Sequence, residues 1–189
     1  MLATVALSIS VAALADERPA AGKLLVASED ADGSSFERTV ILLLHYDEFG
    51  AQGLVINRQS DAGLVDVFPQ SKALADYEGA LFWGGPVQMS TMRALLRTDD
   101  PPDDAIAVID GVYQIAVDES ISDYAMNDAH MRFYIGYAGW SPGQLDRELR
   151  FGSWDVAAAD ADIVFSDTPA AVWPTLRPAP QLRVQLSGQ

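Results

Sequence analysis

Five consecutive residues, Gly139-Trp140-Ser141-Pro142-Gly143, spell the G-x-S-x-G pattern of a hydrolase nucleophile elbow. In that elbow the residue after the serine lends its backbone N–H to the oxyanion hole. Here that residue is Pro142, which has no N–H. The same letters describe a helix start. Ser141 would be the N-cap and Pro142 the first helical residue, with Gln144 reaching back to complete a capping box. Leu145 and Leu149 would then share the buried face, and Asp146 would pair with Arg150 across the solvent face.

The other candidates for chemistry are few. His45 ends an apolar run and precedes Tyr46-Asp47-Glu48, so it could act as a base or a ligand, and His130 stands beside Ala129 and Asp128 in a distant segment. Asn57-Arg58 follows a second apolar run, where a guanidinium suits an anion or a structural partner. Trp83-Gly84-Gly85-Pro86 lacks the Gly-Lys-Ser/Thr of a phosphate loop, so its glycines point to a tight turn or a close backbone approach. Residues 28–33, Ser-Glu-Asp-Ala-Asp-Gly, resemble a calcium loop only faintly. Thr39 stands where the bidentate glutamate would be needed.

Short strands must position these residues. Apolar runs at 24–27, 40–44, 53–57, 80–86, 93–97, 132–140 and 153–157 predict strands, with a turn over 47–53 joining the second and third. Asp110-Gly111 between 105–109 and 112–117 predicts a two-residue hairpin. Residues 163–165 read as a further strand and 181–186, Gln-Leu-Arg-Val-Gln-Leu, as an alternating edge strand. Helices are predicted as a short turn over 61–68 capped by Asp61, over 119–127, and from Thr168-Pro169 until Pro174 cuts the last one off. Strands outnumber helices and pair through hairpins, which gives an α+β fold with a mixed, largely antiparallel sheet.

The 189 residues carry no cysteine and a formal charge of −15. Thiol catalysis, disulfides and cysteine-rich zinc sites are thereby excluded. So acidic a chain disfavours direct nucleic-acid binding. Residues 1–15 are apolar and uncharged and end in Ala13-Leu14-Ala15, which predicts a signal peptide cleaved before Asp16. That stretch is shorter than the roughly 20 residues of a stable membrane span. The expected organisation is a leader over 1–15, a linker over 16–21 and one domain over 22–189, in a periplasmic or secreted protein, with a cytoplasmic location as the alternative.

Residues 22–28, 36–58, 82–87, 136–149 and 152–160 together resemble the AlgH/YqgE family of bacterial proteins, whose molecular activity is undefined. The resemblance implies a small closed β-barrel with short flanking helices and, through one member's association with alginate synthesis, a regulatory role. It implies no cofactor or catalytic set. Departures are Gln59, where a proline usually follows the Asn-Arg pair, the acidic loop 29–35, Pro174, and the leader, since family members are usually cytoplasmic.

Two functions compete. One is a non-enzymatic binding or regulatory protein that recognises a protein or small ligand. Its contact surface would be formed by Asn57, Arg58, Trp83, Gly84, Gly85, Tyr137, Gly139, Trp140 and Gln144. The other is a hydrolase or phosphoryl-transfer enzyme using Asn57, Arg58 and His45, which requires those side chains to converge on one concave pocket.

Overall fold

The computed structural model describes residues 18–29, 34–67, 80–117 and 131–177. The predicted helix over 119–127, the edge strand over 181–186, the leader, His130 and most of the 28–33 loop lie outside these residues. Nine strands form the framework: β1 (Lys23–Ala27), β2 (Val40–Asp47), β3 (Gly50–Val55), β4 (Leu81–Trp83), β5 (Val87–Arg97), β6 (Ile106–Ile109), β7 (Val112–Ile115), β8 (Met131–Trp140) and β9 (Trp154–Ala158). They join in the order β6-β7-β5-β8-β3-β2-β1-β9, with β4 on β8. Every pairing is antiparallel except β4 with β8.

The consecutive apolar residues of β1 and β2 are explained by burial on both faces. Leu24 pairs with Leu42 and Leu25 with Ile41, and all four are inaccessible to solvent. The β2–β3 turn is tighter than the sequence suggested. Only Glu48 and Phe49 separate the paired residues Asp47 and Gly50, so residues 50–53 belong to β3. The long strand β8 binds the sheet together: residues 131–137 pair with β5 and residues 138–140 with β3. One core cluster contains residues from β1, β2, β3, β8 and β9, including Leu24, Leu42, Leu54, Tyr134 and Trp154. A second contains Leu64, Leu81, Ala94, Leu96 and Phe133.

The closed barrel implied by the resemblance is corrected to an open half-barrel. The sheet curls strongly, and Gly22 comes so near β6 that a β-carbon there would lie 2.8 Å from the Val108 carbonyl oxygen. No ladder joins β6 to β9 among the described residues. Across a flat sheet β8 and β9 would stand about 19 Å apart, four strand spacings. Yet the rings of Trp140 and Trp154, at facing ends of those two strands, have centroids 6.0 Å apart. The difference measures the curl.

Among the described residues four short helices flank the sheet: α1 (Leu64–Val67), α2 (Gln144–Arg150), α3 (Ala161–Val164) and α4 (Pro169–Leu176). Residues 163–165 are not a strand. Asp160 accepts a hydrogen bond from the Ile163 backbone N–H (2.8 Å) and caps α3, a local signal that outweighs a three-residue apolar run. Arg132 on β8 holds the far end of α3, donating to the carbonyls of Val164 (2.8 Å) and Ser166. Pro174 does not truncate α4, which continues to Leu176. Buried Val172 and Trp173 anchor that helix to the core, and the Trp173 indole N–H donates to the Ala27 carbonyl (2.8 Å).

Candidate functional site

Asn57 and Arg58 lie just beyond β3 and knit the segment 34–39 to the sheet. The Asn57 carboxamide oxygen accepts from the Val40 N–H (2.8 Å), and its amide donates to the Arg38 carbonyl (2.9 Å). This clamp holds Arg38 at φ +52, a left-handed conformation uncommon for a residue with a side chain. The Arg58 guanidinium donates to the carbonyls of Ser35 (2.8 Å) and Glu37 (3.0 Å) and lies 4.8 Å from the centre of the Trp83 ring. The Arg58 carbonyl in turn accepts from the Trp83 N–H (2.9 Å).

Phe36 is the hub of this corner. Its ring lies 5.9 Å from Trp83, 6.4 Å from Trp140 and 5.8 Å from Trp154. Beneath these rings sits Glu148 of α2. Its Oε2 accepts from both indoles, Trp140 Nε1 and Trp154 Nε1, at 2.8 Å each. Its Oε1 accepts from Gln144 Nε2 (2.9 Å). Three donors thus fix one carboxylate, which fastens α2 to the end of β8 and the start of β9. Asn57, Arg58, Trp83, Trp140 and Gln144 therefore belong to one connected assembly around Phe36.

The glycines serve a backbone crossing where β4 leaves β8 and β5 begins. A β-carbon on Gly84 would lie 2.4 Å from the Gly136 carbonyl oxygen, and one on Gly85 would lie 2.2 Å from the Tyr137 carbonyl carbon. Gly85 and Gly136 also have positive φ values, +150 and +64. Tyr137 stacks beneath Arg93, whose guanidinium carbon is 4.6 Å from the ring centre, and Gly139 is exposed on β8.

Ser141 does not cap α2. Gly143, in a left-handed conformation, occupies the N-cap position, and no side chain caps the helix. Only the Gln144 half of the capping box forms, with its Oε1 accepting from the Ser141 N–H (3.1 Å). Pro142 and Gly143 make a turn before the helix, which moves the cap two residues onward. Leu145 is buried as expected, but Asp146 accepts from the Tyr46 hydroxyl (2.6 Å) instead of pairing with Arg150. That bond, with burial and the carboxylate charge behind it, raises the Tyr46 pKa.

His45 is exposed on β2, with its Nε2 2.9 Å from Asp47 Oδ2. Asn57 binds the opposite end of the same strand, at Val40. Five residues of strand separate the two, about 16 Å, so Asn57, Arg58 and His45 do not converge and the predicted hydrolase set is not assembled. Among the described residues no group of three or more Asp, Glu or His side chains is placed to hold a metal ion. Nor is any helix among them long and apolar enough to cross a membrane.

Sequence reasoning missed Phe36, Glu148 and Trp154. The one available signal was Gln144 and Glu148 one helical turn apart, between two tryptophans at 140 and 154. Grooves among the described residues include one of about 260 Å³ between α3 and α4, one of about 690 Å³ lined by Arg97, Asp99, Asp110 and Ala161, and one of about 490 Å³ along β9 that Trp154 also lines; Asn57, Arg58, Trp83 and Gln144 line none of these three.

The AlgH-like family profile (DUF179) matches residues 24–179. A UPF0301 protein of Chlorobium phaeobacteroides is 34% identical over 164 residues, covering 83% of this chain and 84% of its own. A UPF0301 protein of Rhodococcus jostii is 36% identical over 157 residues, covering 80% and 78%. Among solved structures, a Corynebacterium diphtheriae protein superposes with a TM-score of 0.71 at 26% identity, covering 86% of this chain and 90% of that one. The AlgH protein from Pseudomonas aeruginosa gives a TM-score of 0.67 at 26% identity, covering 82% and 84%. The half-barrel and these matches lead to one assignment: the chain belongs to the AlgH-like (UPF0301) family.

Proposed function

We propose that this protein works by binding and regulation, without catalysis, through the rim of the Phe36 corner. The observation that carries this reading is how the polar side chains there are used. Asn57 and Arg58 spend hydrogen bonds on backbone carbonyls, and Glu148 is held by three donors. None of them is arranged around a reacting atom. What the corner offers is a rigid surface of half-buried Phe36, Trp83 and Gln144 beside exposed Gly139, with Arg58 stacked on Trp83. Tryptophan and arginine are the residue types that dominate binding hot spots, and rigidity lowers the ordering cost of association. Asn57, Gly84, Gly85, Tyr137 and Trp140 shape this surface from behind.

A photo-crosslinking residue placed at exposed Ser35, with a second at exposed Asp104 on the distant 99–104 loop as control, tests the reading in the native host. Capture of a discrete partner or ligand from position 35 alone supports it. Identical products from both positions would remove the corner as the contact surface. The apolar leader 1–15 supports export, so the partner is sought first in the periplasm or medium.

A further inference from the structure

The β2–β3 turn and the end of α2 carry the two most exposed large apolar side chains among the described residues, Phe49 at 77% and Phe151 at 84% exposure. Each stands beside exposed charge, and the two charges are opposite in sign. Glu48 precedes Phe49 in the turn. Arg147 and Arg150 stand four residues and one residue before Phe151, so the three share one face of the helix end. Among the described residues none of these three charged side chains forms an ion pair. The neighbouring acids are already engaged. Asp47 accepts from the Phe49 N–H (2.7 Å) and faces His45, and Asp146 accepts from the Tyr46 hydroxyl (2.6 Å).

Local contacts hold the turn and the helix as one strip. The Tyr46–Asp146 bond ties the end of β2 to α2. Gly50 packs so closely on β8 that a β-carbon there would lie 2.3 Å from the Trp140 carbonyl oxygen. Arg147 folds back over the first turn of α2, where a β-carbon on Gly143 would lie 3.7 Å from its Nη1. The strip therefore carries an acid and a phenylalanine at one end, and two guanidinium groups and a phenylalanine at the other. None of these five side chains belongs to the Phe36 corner, and the strip is independent of the binding role assigned to that corner.

A strip with opposite charges at its two ends is complementary to itself. About a two-fold axis, Glu48 of one copy meets Arg147 and Arg150 of another, the reverse contact forms at the same time, and Phe49 packs on Phe151 in both places. An anionic membrane would be drawn to the arginines but repelled by Glu48 and by the chain's charge of −15. That charge also sets two copies against each other at long range, but screening over about 8 Å at physiological salt leaves close contact to the local pattern. We propose that two copies of this chain associate through this strip as a two-fold symmetric dimer. Two rings a side with their flanking charges make a small interface, so the dimer depends on protein concentration.

Sedimentation equilibrium at micromolar concentrations of the full-length protein, of Glu48→Arg and of the double variant Arg147→Glu/Arg150→Glu tests this. The parent should dimerise as its concentration rises. Each variant alone sets like charges together at both contacts and should dimerise at least about tenfold more weakly. Their equimolar mixture restores opposite charges at both contacts and should dimerise about as tightly as the parent. A parent that stays monomeric overturns the proposal. A dimer retained by both variants lies on another surface and overturns it too, as does a loss in the variants that mixing leaves unrestored. The exchanged side chains are exposed, so thermal melts should match the parent. Should a charge variant melt early, Phe151→Ser carries the same test with every charge in place: it should dimerise about tenfold more weakly, and an unchanged dimer overturns the proposal.

Discussion

Replacing Glu148 by alanine should be among the most damaging changes to any half-buried side chain in this protein. The carboxylate accepts from Trp140 Nε1 and Trp154 Nε1 at 2.8 Å and from Gln144 Nε2 at 2.9 Å. Both tryptophans are buried, at 7% and 6% exposure, so their indole N–H groups have little access to water once the acceptor is gone. A buried donor left unpaired costs about 1–3 kcal/mol. Glu148 is itself only half-buried, which lets some water replace it and places the estimate for the pair near the low end, about 2–4 kcal/mol. At about 2–4 °C per kcal/mol for a domain of this size, the melting temperature should fall by roughly 10 °C. Glu148→Gln should fall between variant and parent, because the amide oxygen still accepts from the indoles while its NH2 group faces the NH2 group of Gln144. Thermal denaturation followed by near-ultraviolet circular dichroism reports stability and the Trp140–Trp154 environment together. If Glu148→Ala melts within about 2 °C of the parent, the clamp contributes under about 1 kcal/mol and the argument fails.

Four further outcomes follow from the geometry. Arg58→Ala loses two bonds to loop carbonyls and the cover over Trp83, and should lower the melting temperature by several degrees, at about 2–4 °C per kcal/mol; an unchanged melt would free Arg58 for a role in binding alone. Ser141→Ala should cost far less than the roughly 1 kcal/mol of a lost N-cap, because Gly143 holds that position, and Ser141 should resist fluorophosphonate labelling. The raised pKa of Tyr46 means that its contribution to stability is complete below about pH 10, the ordinary tyrosine value, and is lost as pH climbs through the higher folded-state value; a phenolate absorbance titration of parent against Asp146→Asn should show Tyr46 ionising at lower pH in the variant. N-terminal sequencing of protein from the native host should begin at or near Asp16, and recovery of intact Met1 from the cytoplasm would refute export.

The strands were legible because their signal is local. Val40 to Leu44 form an uninterrupted apolar run that can only be covered on both sides, and Asp110-Gly111 sits between β6 and β7 as a two-residue turn. Short apolar runs were not legible by periodicity. Residues 163–165 suit strand and helix equally, and the cap supplied by Asp160 decides between them. Pro174 misled because propensity is a weak prior against the burial of Trp173. The candidate site was legible only in part. Arg58, Trp83, Trp140 and Gln144 stood out by type, but nothing in one sequence says that Phe36 brings them together or that Glu148 lies beneath.

The curl of the sheet is what gives those separate segments a common site. Trp140 and Trp154 come together only because three intervening strands bend, and a bend that brings two indole N–H groups to one place needs an acceptor between them. Glu148 supplies it from a helix begun by the same Pro142-Gly143 turn that defeats the hydrolase reading. Three of the five letters Gly139-Trp140-Ser141-Pro142-Gly143 are thus accounted for structurally: Trp140 donates to the clamp, Pro142-Gly143 sets the start of α2, and α2 delivers Glu148 about one turn later. A nucleophile at Ser141 would require a backbone donor at position 142 that proline lacks and a base nearby, whereas His45 lies on another strand with its ring toward Asp47. The resemblance to a catalytic motif therefore has its origin in the requirements of a helix start beside a folded-over sheet.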